Sequence, residues 1–444
     1  MTGRTHAIVL GAGIAGLCAA GVLAKHFEQV TLVERDLVSP LVDGQSRRGV
    51  PQGMHVSLLT MRAMQQLEEL FPGLLEECLA DGAQAAEAGT QVRAVFHGHL
   101  LRQSPAGTNL LLASRPFLEG KIRARVLKLP AVTLLEDTRA AGLLADGRTK
   151  DHHAIRGVRL HSAKSGTASS HDLEADLVLD ATGRGGRSGA WLEQHGFPRA
   201  PEQRVRIDVI YASRHFALPP DVLGTDRAVV IGATASHPHG MTFVAQENGS
   251  WVLSLQKYGN HGPPTDDDSF LTLAATVAPD DVMHHLRHAA PLGPIAHQRF
   301  PHATRRRFDR MHSFPGGMLV IGDALCSINP IYGSGMAMAV AQAAALDACL
   351  ATETGPLARQ FFRAAHRVTN PQWWLAACGD YSLTQGNQRA RLLSAAFQRI
   401  TAAAEHDPAI SATVVRLFGM IDSPRRLARP HVLRQLLVAG RQRR

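Results

Sequence analysis

Aromatic residues are scarce. Phe, Trp and Tyr make up 5% of the 444 residues, so aliphatic packing must dominate the interior. Cysteine is sparse too. Cys18, Cys78, Cys326, Cys349 and Cys378 are odd in number and scattered, with no metal-ligand spacing. That excludes a disulfide framework and a metal site, and it points to reduced thiols in a cytoplasmic protein. Long hydrophobic runs are missing. The most apolar long window, Ile331 to Leu350, is interrupted by Gly333, Gly335, Gln342 and Asp347. It reads as a buried helix rather than a membrane span. The first strand begins within a few residues of Met1, which leaves no room for a signal peptide. No internal repeat or long low-complexity tract is evident, and no basic-aromatic interleaving favours nucleic acid.

What is present is a chain long enough for two or three domains and a sizeable core. Hydrophobic content is 45% and charged content 19%, ordinary for a globular protein. The net charge of +9 suits anionic ligands, and also non-specific contact with membranes.

The chain is organised around His6 to Asp36. Ala7 to Leu10 is a short apolar run typical of a buried parallel strand. Gly11, Gly13 and Gly16 follow on the G-x-G-x-x-G spacing. The first glycine makes the turn, the second admits a pyrophosphate to the backbone, and the third lets helix pack on strand. Ile14 to Phe27 continues as a helix whose N-terminus offers N–H groups and a positive dipole end to that pyrophosphate. Val30 to Val33 is the next strand. Glu34 closes it, placed to accept hydrogen bonds from ribose hydroxyls. The fingerprint by itself does not separate FAD from NAD.

Further along, Asp43 to Gly53 is a polar, basic loop. It reads either as a solvated surface loop or as one that closes over a bound phosphate or flavin. A helix from about His55 to Leu70 follows. Gln91 to Leu112 reads as hairpins of a second sheet. Arg115 opens a helix running to about Val126, where a long cation can reach a cofactor. Leu127 to Leu135 returns to the first sheet, and His152 to Leu160 forms a hairpin with a polar tip at Ser162 to Ser170. Asp176 to Gly183 is a buried strand ending in Asp180-Ala-Thr-Gly183, where small residues permit close approach. Arg204 to Phe216, Ala228 to Ile231, Met241 to Ala245 and Trp251 to Leu255 alternate as antiparallel strands. Ser269 to His288 is mostly helical. Arg305-Arg306-Arg307 reads as a solvated face. Gly317 to Asp323 is a third buried strand, ending in Gly322-Asp323, and a long helix runs to about Leu350. Asp323 can bind a ribityl hydroxyl there, and the helix dipole suits negative charge on a reduced flavin. Residues 357–444 read as helical. Their tail, Arg425 to Arg444, reads as a packed or solvated basic helix, or as a membrane-surface contact.

Three strand-end motifs thus stand in order: Gly11-x-Gly13-x-x-Gly16 with Glu34, Asp180-Ala-Thr-Gly183, and Gly322-Asp323 with Pro330 and Gly333-x-Gly335. With Arg48-Gly-Val-Pro-Gln-Gly-Met-His55 and Trp191-Leu-Glu193, they resemble the class A flavoprotein monooxygenases of the para-hydroxybenzoate hydroxylase fold. Within that group the chain looks most similar to the squalene-epoxidase-like branch with the polyether epoxidases. The resemblance covers about residues 5–350 and extends loosely through Asn370-Pro-Gln-Trp373.

It implies an α/β fold with a discontinuous Rossmann-like FAD-binding domain (1–75, 113–190 and 300–350). A mainly antiparallel substrate domain (76–112 and 191–299) and a helical C-terminal region (351–444) complete it. Gly11, Gly13, Ala15, Gly16, Glu34 and Arg35 would hold the ADP half of FAD. Arg48 and Arg115 would reach the pyrophosphate or ribityl chain, as would Asp323. Pro330, Gly333, Gly335 and Met336 would line the flavin ring. The Asp180 segment would support FAD and pass near NADPH. Met54-His55-Val56-Ser57 departs from the family's Arg-His-x-His, which implies a missing cation and imidazole near the flavin.

The implied activity transfers one oxygen atom from O₂, through a flavin C4a-hydroperoxide, to an apolar, natural-product-like substrate by epoxidation or hydroxylation. No side chain is assigned as catalytic acid or base. The reductant would be NAD(P)H, or a partner flavin reductase would supply electrons. The alternatives are a flavin-dependent reductase or dehydrogenase of a prenyl or polyketide intermediate, and a non-catalytic prenyl-binding escort protein. A flavin halogenase is disfavoured, because the Trp-x-Trp-x-Ile-Pro motif is absent.

Overall fold

The computed structural model describes residues 4–38, 46–146, 154–162, 169–259, 262–352, 355–383, 388–423 and 426. Two sheets dominate it. The first has five parallel strands in the spatial order Met318–Val320, Leu177–Asp180, His6–Leu10, Gln29–Val33 and Val132–Leu135. Ala7, Ile8 and Val9 are fully buried, as a strand covered on both faces requires. Helix Ile14–Leu23 packs against helix Gly335–Leu350 over this sheet. The helix Arg115–Val126 starts under a serine cap, Ser114 Oγ accepting from the Phe117 N–H, a contact worth about 1 kcal/mol.

The second sheet is wide and mostly antiparallel. From one side to the other it runs Cys326–Ser327, Ala296–Arg306, Glu202–Ala217, Ser250–Tyr258, His239–Gln246, Ala228–Ile231, Val92–Phe96 and His99–Leu100. One face packs the short helices Asp267–Ala275 and Asp280–His288 through Phe243, Leu253 and Phe270. The other face is turned to a cavity. Among the described residues three helices follow the sheets: Leu357–Leu383, Gln388–Ala404 and Pro408–Phe418. The last two cover the Val92–Phe96 edge, where Phe96 stacks on Phe418 with centroids 4.9 Å apart.

Four expectations need adjustment. Leu110 to Leu112 does not join the second sheet; it pairs with Leu58–Thr60 and Gln84–Glu87 in a separate small sheet. The helix expected from His55 begins at Met61, because Leu58–Thr60 is a strand. Residues 300–306 belong by pairing to the wide sheet, not to the FAD-binding half. The triple arginine is not a solvated face. Arg305 is 2% exposed, bonded to Gln203 and Asn370, with its guanidinium 4.8 Å from the Trp373 ring. Arg307 is also buried, against Asp309.

All five cysteines are free thiols. Among the described residues no helix is long and apolar enough to cross a membrane, and no His/Cys/Asp/Glu group could hold a metal ion. The basic tail and the tip at 163–168 lie outside the described residues, apart from Arg426.

Candidate functional site

A cavity of about 1150 Å³ lies between the parallel sheet and the wide sheet. At one end it opens onto the glycine turn. Gly11 has a left-handed φ of +99°, and a Cβ there would lie 2.8 Å from the Ala181 carbonyl oxygen. A Cβ on Gly16 would lie 1.8 Å from the Gly11 oxygen, so Gly16 is what lets the helix sit on the turn. Gly13 faces open cavity, with guanidinium nitrogens of Arg115 and Arg47 no closer than 3.8 and 3.9 Å to a Cβ placed there. That cradle suits a pyrophosphate.

Glu34, 5% exposed, accepts from the Ala12 N–H at 2.8 Å and the Asp36 N–H at 3.1 Å. Arg47 is the hub beside it. Its guanidinium lies 3.0 Å from Glu34, 3.0 Å from Asp36 and 2.7 Å from Glu119. Burial opposes the Arg47 charge, but the fields of Glu119 and Glu34 outweigh it and raise the guanidinium pKa. The Nε of Arg115 and the Oε2 of Glu119 are buried there without hydrogen-bond partners among the described residues. The Arg115 guanidinium, 3.7 Å from Glu119 through its Nε and 3.8 Å from a Cβ placed on Gly13 through its Nη2, fits the anionic middle of a dinucleotide.

Asp180 is fully buried and its carboxylate is satisfied within its own turn, by the Thr182 N–H and the Thr182 and Ser188 hydroxyls. The turn thereby presents Ala181, Thr182 and Gly183 to the cavity. Asp323 also lines it. Burial raises its pKa, while Arg115 and Arg184 pull it down. Pro330, Gly333, Gly335 and Met336 follow along the same wall, at the start of helix Gly335–Leu350.

Of the residues singled out in the sequence, Gly11, Gly13, Ala15, Glu34, Arg35, Arg115, Asp323, Pro330, Gly333, Gly335 and Met336 line the cavity. Gly16 lies behind it. Arg48 is exposed and is not part of the lining; its neighbour Arg47 takes the inward position. Composition showed a basic loop but not which of two adjacent arginines turns in.

The site also holds residues the sequence did not single out. His55 is 7% exposed and lines the cavity. Its Nδ1 lies 2.7 Å from Ser213 Oγ, which donates to Ser254 Oγ at 2.7 Å. Burial, reinforced by His215 and His297, lowers the His55 pKa to about 4, so the ring is neutral near neutral pH. Tyr211 donates to Asn329 Oδ1 and accepts from the Ile331 N–H. Asn329 donates to Tyr258 and to Asp380 of the C-terminal helix, and Tyr332 also donates to Asp380. Burial pushes Asp380 up to about 7. This polar cluster ties the segment from Asn329 to Tyr332 to the helix Leu357–Leu383.

Beyond it the cavity turns apolar, against Val92, Ala94, Phe96, Leu101, Val230 and Phe418.

Comparison with known proteins agrees with this geometry. The FAD binding domain family model matches residues 4–360. Protein Rv3254 of Mycobacterium tuberculosis is 35% identical over 95% of this chain and 92% of its own length. Kynurenine 3-monooxygenase of Salinispora tropica is 24% identical over 78% of this chain and 73% of its own. Among solved structures, PqsL, a probable FAD-dependent monooxygenase from Pseudomonas aeruginosa, has a TM-score of 0.63 at 18% identity, covering 89% of this chain and 100% of that one. The flavin-dependent brominase Bmp2 has a TM-score of 0.69 at 15% identity, covering both chains fully. A glycine cradle, a buried acid at the end of the second strand and a glycine turn before helix Gly335–Leu350 on a shared fold lead to one conclusion: this chain belongs to the FAD binding domain family, and its fold is that of the FAD-dependent monooxygenases.

Proposed function

We propose that this FAD-dependent oxidoreductase transfers one oxygen atom from O₂ to an apolar organic substrate, by hydroxylation or epoxidation. The observation that carries the reading is the continuity of the cavity. One space joins the pyrophosphate cradle, the ring-lining turn and an apolar chamber. FAD, when bound, supplies the redox and oxygen-transfer chemistry. The protein's residues do the rest. Gly11 and Gly13, with Glu34, Arg47 and Arg115, hold the nucleotide and its phosphates. Asp323 and the segment from Pro330 to Met336 hold the flavin end. The C-terminal helices exclude water from the chamber, which protects a reactive oxygen-transfer step.

The reductant is NAD(P)H or a reduced flavin delivered by a separate reductase. Arg184, Arg204 and Arg306 line the cavity toward the Ala296–Arg306 strand and give an anionic reductant a cationic approach. The kynurenine 3-monooxygenase relative supports oxygenation. The absence of Trp-x-Trp-x-Ile-Pro argues against the halogenating chemistry of the brominase. Placement in the epoxidase-like branch rests on the segments Arg48 to His55 and Gly322 to Pro330, including Cys326.

The test is direct. FAD-loaded protein is reduced without oxygen, then mixed with isotopically labelled dioxygen and a panel of apolar alkenes and arenes. Mass spectrometry should find one labelled oxygen atom in a product. Flavin reoxidation with no labelled product across the panel, but with reduction or desaturation of a panel member, would replace this reading by a reductase or dehydrogenase.

A further inference from the structure

The helix Leu357–Leu383 reaches the cavity with its last turns, where Leu375, Gly379, Ser382 and Leu383 join the lining. It packs there against the short turn Pro330–Tyr332. Gly379 permits the approach, because a Cβ at that position would collide with the Tyr332 hydroxyl. Beside it Asp380 is fully buried. One oxygen of its carboxyl group grips the turn at both ends. Oδ1 accepts from Asn329 Nδ2 at 2.8 Å and from the Tyr332 hydroxyl at 3.2 Å. The wide sheet holds the other side. The Tyr211 hydroxyl donates to Asn329 Oδ1 and accepts from the Ile331 N–H at 3.2 Å, and the Tyr258 hydroxyl accepts from Asn329 Nδ2 at 3.3 Å. The turn is clamped between a sheet made early in the chain and a helix made late.

The titratable groups facing Asp380 are Tyr211 and Tyr258 of the wide sheet, Tyr332 of the turn and Tyr381 of its own helix. All four are weak acids, so they offer hydrogen bonds but no positive charge. Burial pushes the Asp380 carboxyl up to about 7, against the pull of its bonds to Asn329 and Tyr332. Below that pH the clamp is uncharged and suits its dry site. Above it the site must hold a carboxylate, which favours water and so favours parting the helix from the turn. The folded value stands above the ordinary 3.8, so the hold is full below 3.8 and is lost as pH rises through about 7.

We propose that Asp380 is a positioning residue for the cofactor: through Asn329 and Tyr332 it sets the turn that receives the flavin ring, and it holds that turn more firmly in acid than in base. The proposal rests on the reading that Pro330 to Met336 hold the flavin end. It makes the helix Leu357–Leu383 part of the FAD site.

The test titrates the full-length protein, stripped of flavin, with FAD at pH 6 and pH 8.5, following flavin fluorescence. ADP-ribose, which has the nucleotide and pyrophosphate but no flavin ring, is titrated in parallel by calorimetry. The parent should bind FAD about tenfold more weakly at pH 8.5 than at pH 6. Asp380→Asn keeps the Oδ1 acceptor and cannot ionise, so it should bind FAD at both pH values as the parent does at pH 6. Asp380→Leu loses the acceptor and should bind about tenfold more weakly at both. ADP-ribose affinity should be the same in all three proteins, which also shows that each is folded. An equal pH dependence in Asp380→Asn, none in the parent, or full FAD affinity in Asp380→Leu would overturn the proposal. So would a loss of ADP-ribose binding that matches the loss of FAD. A parent that binds FAD no better than ADP-ribose would instead sink the flavin-end reading, and the proposal with it. The labelled-oxygen experiment stands apart, since these titrations involve no oxygen transfer.

Discussion

The two ends of the cavity are built on opposite principles. The nucleotide end is charged and densely paired, with Arg47 held by three carboxylates over a bare glycine turn. The substrate end is uncharged, and its shape comes from strand register and from two helices that arrive at the end of the chain. A cofactor common to a whole family is met by short local motifs. A substrate particular to one enzyme is met by residues that share no motif. The difference explains why FAD was readable early and the substrate was not.

The strongest way to break the nucleotide end is Arg47→Ala. It leaves Glu34, Asp36 and Glu119 clustered without their cation, and breaking such a buried pairing costs about 3–5 kcal/mol. Denaturant titration should show that loss, and equilibrium dialysis should show FAD retention falling with it. An unchanged FAD affinity would mean that Arg47 only braces the loop.

At the boundary between the ends, His55→Gln sharpens the contrast through pH. The folded protein holds His55 near 4, below the ordinary 6.5, so the unfolded chain takes up the proton first. The stability this neutral imidazole supports is complete above about pH 6.5 and is lost as pH falls toward 4. The loss amounts to roughly 3 kcal/mol. The glutamine variant should therefore lose less stability than the parent between neutral and acid pH in paired denaturation curves. Parallel losses in both proteins would show that other groups govern the acid response.

The smallest effect belongs to Arg48→Ala. Its side chain is exposed and off the lining, so stability should move by less than about 0.5 kcal/mol. FAD affinity should stay within about twofold. A large loss of FAD would return Arg48 to the phosphate role that the family resemblance implies.

The nucleotide half was legible because its signals are local. Gly11, Gly13, Gly16 and Glu34 lie within 24 residues, and each has one geometric task. The choice between Arg47 and Arg48 was not legible, because the turn direction of a loop depends on Asp36 and Glu119, set on other elements. The arginine run misled for a related reason. Arg305 is buried by Trp373 and Asn370, which a later helix brings to it. Leu110 to Leu112 has the strand pattern, but its choice of sheet is made by Leu58–Thr60 and Gln84–Glu87. Tyr211, Tyr258 and Asp380 are unremarkable in sequence, and only the packing of distant elements sets them around Asn329.

The late arrival of the last two helices has a consequence for biosynthesis. By residue 350 every strand of both large sheets has been made. Yet the apolar edge at Ala94 and Phe96 stays uncovered until Phe397, Val414 and Phe418 follow, some three hundred residues after it. Contacts of such long sequence separation form slowly, and an open apolar edge is prone to stray association in the interval. A nascent chain can therefore assemble its nucleotide cradle while its substrate chamber is still open. Nonsense mutations between Gln388 and Phe418 should yield aggregation before they yield an inactive soluble enzyme.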